Sequence, residues 1–290
     1  MATVIAAISG GVDSVVLLHL LAKHRELLGT SPRSQPYQLV VAHVDHGIRK
    51  DSAADARFVQ TLSQYYGCIY EEKQLSLGIH TSENRAREGR YDFLFHLAKK
   101  YQATIATAHH GDDLAETIAI NLQRGTGWRG LAVLNRRGVI RPLLGYSKAE
   151  LYAYALTHHL EWVEDDTNRN IRYLRNRVRR LLAPRLTEPA RQRLLELRDQ
   201  QVAVAQEIAA EEQTLLRGSV SRYLLTHISQ AAALELLGSC IYQHVGIRPT
   251  RPQLQRALLA VKTAKPGTVH QVGAGITLQF STRFFSVEMV

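Results

Sequence analysis

The opening of the chain constrains its fold most: an apolar, β-leaning run, Val4-Ile5-Ala6-Ala7-Ile8, stops at a glycine pair. A second apolar run follows, Val15-Val16-Leu17-Leu18-His19-Leu20-Leu21. The first run suits a buried strand and the second a buried helix, so Ser9-Gly10-Gly11-Val12-Asp13-Ser14 forms the loop between them. Two glycines let that backbone take unusual dihedrals and approach a ligand closely. The helix that follows points free N–H groups and the positive end of its dipole at whatever sits there, which favours an anion. Ser9 and Ser14 add hydroxyl donors. No Gly-Lys-Ser/Thr follows, so the loop is not of the kinase type. A bare Gly-Gly turn is often only a turn, but here both serines and Asp13 favour phosphate binding.

The same pattern then recurs. Leu39-Val40-Val41-Ala42 reads as a second parallel strand with a helix over Ala53–Tyr66, and Cys68-Ile69-Tyr70 as a third strand. Arg85–Tyr101 reads as a helix, Thr104-Ile105-Ala106-Thr107 as a fourth strand, and Leu114–Gln123 as the helix after it. Alternation of this kind predicts a doubly wound α/β parallel sheet with ligands at the carboxyl ends of its strands. Beyond about Arg141 the character changes. Ser147-Lys148-Ala149-Glu150 resembles a capped helix start, with the helix running to His159. Asn176–Leu186 places apolar residues at 178, 181, 182 and 186, while Arg172, Arg175 and Arg179 share another face. A long helix over Ala190–Leu216 is expected to connect this part to a smaller α+β C-terminal domain. That domain has helices at Gln230–Val245 and Arg251–Thr263 and a hairpin around Gly273-Ala274-Gly275. The expected division is 1–186, 187–217 and 218–290.

A chain of 290 residues is long enough for one large domain and a small one. Its net charge of +10 and pI of about 9.7 favour a polyanionic partner, nucleic acid above all. The arginines crowd into 169–185, with Arg172, Arg175, Arg177, Arg179 and Arg180 among them. Cys68 and Cys240 are the only cysteines, which argues against a disulfide scaffold, a zinc ribbon or an iron–sulfur cluster held by this chain. Met1-Ala2-Thr3 has no basic lead-in and Val4–Ile8 is too short for a secretory core, so a cytoplasmic protein with no membrane partner is expected.

Ser-Gly-Gly-Xaa-Asp-Ser resembles the signature of the PP-loop ATP pyrophosphatases, whose fold is of the adenine-nucleotide α-hydrolase type. Within that superfamily, three further segments resemble the tRNA(Ile)-lysidine synthetase family. They are His43-Val44-Asp45-His46-Gly47-Ile48-Arg49, Ala108-His109-His110-Gly111-Asp112-Asp113-Leu114-Ala115-Glu116-Thr117, and Glu164-Asp165-Asp166-Thr167-Asn168 with Arg175-Asn176-Arg177-Val178-Arg179 downstream. Ala86-Arg87-Glu88-Gly89-Arg90-Tyr91 and Arg124-Gly125-Thr126-Gly127 fit as well, and the resemblance covers about residues 4–186. Thr167 stands where Ser is commoner, and Asn170 where an acidic residue is usual.

The resemblance implies ATP and Mg²⁺ as cofactors, with tRNA(Ile) bearing a CAU anticodon and free L-lysine as substrates. The implied product is lysidine, made through an adenylated wobble cytidine with release of pyrophosphate and AMP. Ser9, Gly10, Gly11, Val12, Asp13 and Ser14 are then the ATP-binding residues, and Asp13, Asp113, Glu116 and Arg175 the catalytic ones. Asp113 and Glu116, one helical turn apart, are expected to face one cleft, bind the lysine ammonium and accept its proton. Asp13 or Asp113 is the expected Mg²⁺ ligand. His43, His46, Arg49, Arg87, Arg90, His109, Arg124, Arg172 and Arg179 are expected to contact substrate or tRNA. Arg175 or Arg179 would brace a phosphate or the lysine carboxylate through a bidentate fork. For His43 and His46, loop ordering and packing stay open beside substrate contact. Trp128, Tyr91 and Trp162 are the aromatics available for stacking. The oligomeric state is open, a homodimer included. The rival readings are a sulfur-transferring tRNA modifier, a small-molecule synthetase of the same superfamily, and a non-catalytic RNA-binding protein.

Overall fold

In the computed structural model of the chain, which describes residues 2–23, 37–45, 52–75, 83–164, 174–216 and 220–290, alternation along the strands splits the core in two. Strands β1 (Thr3–Ala7), β2 (Gln38–Asp45), β3 (Ile69–Gln74), β4 (Thr104–Ala106) and β5 (Val139–Ile140) form one parallel sheet in the order β3-β2-β1-β4-β5. The register aligns Ile5 with Val40 on one side and Ile105 on the other. Val4, Ala6, Val41 and Ala106 pack to one face against α1 (Val12–Lys23), α2 (Ser52–Tyr65) and α5 (Lys148–Thr157). Ile5, Val40, Ala42 and Ile105 pack to the other against Tyr91, Phe93, Leu94 and Leu97 of α3 (Glu83–Tyr101). Strands buried on both faces lose the polar half of their alternation, which is why they read as continuous apolar runs. Each aliphatic side chain so buried contributes about 1.5–3 kcal/mol.

The chain runs outward from β1 to β3, then returns to lay β4 on the opposite side of β1. That reversal opens a crevice beyond the carboxyl ends of β1 and β4. Helix α4 (Gly111–Gln123) starts at its edge. The expected doubly wound sheet is present, with two additions. The two-residue β5 is too short to leave a pattern in sequence. β2 runs on through His43, Val44 and Asp45, which the sequence placed after the strand, because β3 pairs with it as far as Gln74.

By contacts the chain divides into Met1–Val202 and Ala203–Val290. In the first unit, α6 (Leu174–Leu182) follows α5, and α7 (Glu188–Leu215) begins by packing Leu194 and Leu195 against Leu114, Ile118 and Leu134. Arg198 of α7 donates to the carbonyls of Val133 and Leu134 at 3.0 and 2.7 Å.

The second unit packs α8 (Arg222–His227), α9 (Gln230–Val245) and α10 (Arg251–Thr263) on an antiparallel sheet of β6 (Val269–Gly273), β7 (Ile276–Phe280) and β8 (Phe285–Met289). The expected hairpin thus gains a third strand, and α8 is a further addition. Arg222 donates to the carbonyls of Val261 and Ala264 at the end of α10, at 2.8 and 2.6 Å, and to Ser281 O just after β7 at 2.8 Å. No helix among the described residues is long and apolar enough to cross a membrane.

Candidate functional site

The glycine loop is shaped from within by one hydroxyl. Ser14 Oγ accepts from the backbone N–H groups of Ser9 and Gly10, both at 3.2 Å, and donates to Gly11 O at 2.8 Å. Gly11 O accepts in turn from the N–H groups of Ser14 and Val15, starting α1. Ser14 is 4% exposed, so its hydroxyl acts first on the loop itself. Asp13 lies inside the first turn of α1. Gly10 has φ +93°, a conformation that costs an L residue about 1–2 kcal/mol. A Cβ there would still find ordinary room, 3.4 Å from Val59, so backbone strain is the whole penalty. Gly10→Ala is therefore expected to lose about that much stability in urea denaturation, and Gly11→Ala much less. Equal stability of the two variants would overturn this account.

The second wall comes from the β4–α4 junction. His110 precedes α4 as its N-cap: its N–H donates to Asp113 Oδ2 at 3.2 Å, the backbone half of a capping box. Gly111 fits closely next, since a Cβ would come within 3.1 Å of Tyr146 O and 3.2 Å of Leu144 O, tighter than most such contacts. His110 Nε2 stands between two carboxylates, 3.4 Å from Asp113 Oδ2 and 3.8 Å from Asp13 Oδ2. Its Nδ1 is buried with no hydrogen-bond partner among the described residues. Burial works against the charged form of Asp113. His110, His109 and the His110 N–H outweigh it, and the carboxyl is held below the ordinary range. Burial drives the His109 imidazole down to about 3, with Asp113 opposing and the Arg141, Arg90 and Arg87 charges reinforcing. His109 is thus neutral near pH 7, its Nδ1 2.9 Å from Thr107 Oγ1.

Glu116 lies deeper. It is 1% exposed and forked by Arg179, Nε to Oε1 at 2.6 Å and Nη2 to Oε2 at 3.2 Å, with Arg175 Nε 3.5 Å from Oε2. Arg175 also donates to Thr117 Oγ1 at 3.2 Å. Burial raises the Glu116 carboxyl above its ordinary value, the Arg179 fork offsetting only part. The expected apolar stripe on α6 is not buried: the helix has no buried residue, and Leu181 is 63% exposed. The buried charge of Glu116 instead draws Arg175 and Arg179 to the α4 side, leaving Arg177 and Arg180 exposed.

These walls enclose a cleft of about 750 Å³. Of the residues singled out in sequence, Ser9, Gly11, Val12, Asp13, Ser14, His43, Arg87, Arg90, His109, Asp113 and Arg175 line it. Gly10 sits behind the loop, its carbonyl accepting from Val163 N–H at 2.9 Å. Glu116 and Arg179 are not on the cleft wall, so the two carboxylates expected to face it together are divided between wall and interior. His43 is 4% exposed and its Nδ1 is 2.9 Å from Ile8 O, a bond that ties the end of β1 to β2. Arg124 is exposed at the far end of α4, roughly 20 Å along the helix from the cleft. His46, Arg49 and Arg172, with the acidic segment 165–168, lie outside the described residues. Tyr91 lines the cleft but is only 2% exposed, with Arg136 over its ring, and leaves little ring face for stacking. Trp128 stays outside the cleft under Arg129, whereas Trp162 lines it, edge-on to Tyr152 at 5.3 Å.

Two contributors were missed. His110 was visible inside its motif but not given a part. Lys148 donates to both Asp13 oxygens at 2.7 Å, and nothing local in the sequence links residues 135 apart. No group of three His, Cys, Asp or Glu side chains that could hold a metal occurs among the described residues. Mg²⁺ fits the donors that do exist, since it is commonly held by one or two carboxylates with phosphate oxygens and water, and Asp13 and Asp113 offer two. Cys68 and Cys240 line no part of the cleft, and burial pushes both thiols up to about 11.

A profile of the PP-loop domain matches residues 1–186. A curated tRNA(Ile)-lysidine synthase of Thermotoga maritima is 38% identical over 194 residues, covering 64% of this chain and 45% of that protein. The protein of the same name from Pectobacterium atrosepticum is 34% identical over 272 residues, covering 88% of this chain and 60% of that one. The chain thus spans about half the length of the curated relatives it matches. Among solved structures, the U34-tRNA thiolase NcsA from Methanococcus maripaludis with its [4Fe-4S] cluster superposes with a TM-score of 0.56. It is 17% identical, covering 70% of this chain and 72% of that one, a likeness of fold.

Proposed function

The chain belongs to the PP-loop domain family, and from that premise we propose that it is a tRNA(Ile)-lysidine synthetase. The observation that carries this reading is a phosphate loop and an ionised acid, Asp113, on facing walls of one cleft, in the part of the chain that matches curated relatives of that name. In the proposed reaction the carbonyl oxygen on carbon 2 of the wobble cytidine in a CAU anticodon attacks the α-phosphate of ATP, releasing pyrophosphate. The ε-amine of free L-lysine then attacks carbon 2 and expels AMP.

The residues divide this work. Ser9–Ser14 and the first turn of α1 receive the phosphates, whose developing charge meets fixed N–H dipoles. Mg²⁺, held through Asp13 or Asp113, would supply further charge stabilisation at those oxygens. Asp113 binds the lysine ammonium. Its lowered pKa suits that task, while Glu116, behind the wall, positions Arg175 and Arg179. Arg175 reaches the cleft from α6 and braces a phosphate or the lysine carboxylate. Arg87, Arg90 and the outward Arg177 and Arg180 hold the tRNA backbone by counterion release, together with Arg49, Arg124, Arg172 and residues 218–290. His43, His46 and His109 order the loops around the base. Trp162 and Tyr152 offer it a ring face. A cytoplasmic location accompanies this reading.

The sulfur-transfer alternative is weaker, because Cys68 is not among the residues lining the cleft and both thiols stay protonated near pH 7. The test is incorporation of radiolabelled lysine into unmodified tRNA(Ile) with ATP and Mg²⁺. Label that requires both ATP and a CAU anticodon is expected. A folded protein that binds ATP yet transfers no label would end the lysidine assignment and leave the family untouched.

A further inference from the structure

The loop carries glycines and hydroxyls but no lysine of its own, whereas a kinase-type loop uses its lysine to reach the outer phosphates. The fold delivers one from α5. Lys148 is the first residue of that helix, and its backbone is pinned on two sides. Its N–H donates to Asp112 Oδ2 at 3.1 Å. The preceding Ser147 closes a capping box, its N–H donating to Glu150 Oε2 at 2.7 Å and its Oγ accepting from Glu150 N–H at 3.2 Å. From this fixed point the side chain crosses to the first turn of α1, where Nζ rests 2.7 Å from each oxygen of Asp13. It is 46% exposed and lines the cleft beside Ser9, Gly11 and Ser14.

An ammonium group has three donors, and Asp13 engages two. The third is left for an oxygen entering the cleft. Of the other cations on the wall, Arg175 contacts Glu116 and Thr117 on the α4 side, and Arg87 and Arg90 lie over the Tyr91 ring, so Lys148 is the one held directly against the first turn of α1.

We propose that Lys148 is the phosphate-binding cation that the loop lacks, donating to the polyphosphate of a nucleoside triphosphate while Asp13 holds its ammonium over the loop. This rests on the reading that the cleft takes ATP. Binding of ATP, inorganic pyrophosphate and adenosine is measured for the 290-residue chain, for Lys148→Ala and Lys148→Arg, and for the double variant Asp13→Asn/Lys148→Ala. Lys148→Ala is expected to weaken ATP and pyrophosphate by about tenfold or more and to leave adenosine unchanged. Lys148→Arg, which keeps the charge, is expected to retain most of the affinity. The double variant stays weak, because removing the Asp13 charge does not replace the lost donor. Recovery of ATP binding in the double variant would show that Lys148 only neutralises Asp13 and would overturn the proposal. So would unchanged ATP binding in Lys148→Ala. Failure of the unsubstituted protein to bind ATP would remove the ATP reading itself, an outcome visible before any variant is compared.

Discussion

Replacing Asp113 by Asn is expected to reduce ATP-dependent lysine incorporation by roughly 100-fold or more, with ATP binding retained. Asn keeps an oxygen to accept the His110 N–H, the bond that caps α4. It loses the negative charge that the neighbouring His110 side chain and its N–H favour. Among the described residues of α4 no other carboxylate lines the cleft to draw in an ammonium. Asp113→Ala should be as inactive but also less stable, because the capping bond goes with it, about 1 kcal/mol. The pair therefore separates chemistry from folding. Incorporation by Asp113→Asn within a few-fold of the unsubstituted protein would remove Asp113 from the active site.

Removing the fork from Glu116 should give the largest loss of stability. Arg179→Ala leaves a carboxylate that is 1% exposed with Arg175 at 3.5 Å as its remaining cation. Breaking a buried pair from one side costs about 3–5 kcal/mol. The low end applies, since Arg179 is itself 39% exposed and water can enter in its place. The effect depends on pH in a defined sense. Burial already raises the Glu116 carboxyl in the folded protein, so between its unfolded value and that raised value the folded state binds more protons than the unfolded. The contribution is therefore present at low pH and is lost as pH rises through the folded pKa. Loss of Arg179 raises that pKa further, so Arg179→Ala should be hurt less near pH 5 than near pH 8 in urea denaturation. Equal losses at both would mean that Glu116 is not the group left unpaired. Glu116→Gln combined with Arg179→Met should recover much of the loss, because neither partner then carries a buried charge.

The sheet was legible because its central strands are buried on both faces. Apolar runs such as Val4–Ile8 and Leu39–Ala42 mark themselves without any partner in view. The phosphate loop was legible for a local reason, as glycine spacing and a helix start fall within six residues. β5 and α8 were not, being two and six residues long, too short to show a period. On α6 the pattern misled. Its leucines suggested a buried stripe, yet a helix facing a buried carboxylate turns its arginines inward and leaves Leu181 exposed.

Sequence alone determined the doubly wound sheet and placed Asp13 and Asp113 just beyond its first and fourth strands, because each depends on short-range pattern and strand order. Only tertiary structure decided how charge is shared there. It set Lys148 on Asp13, lodged His110 between two acids, and turned Glu116 away from the cleft to two arginines. Apart from His110 with Asp113, those pairings join residues far apart in the chain, and they are set by how burial and opposite charge balance where the helices meet.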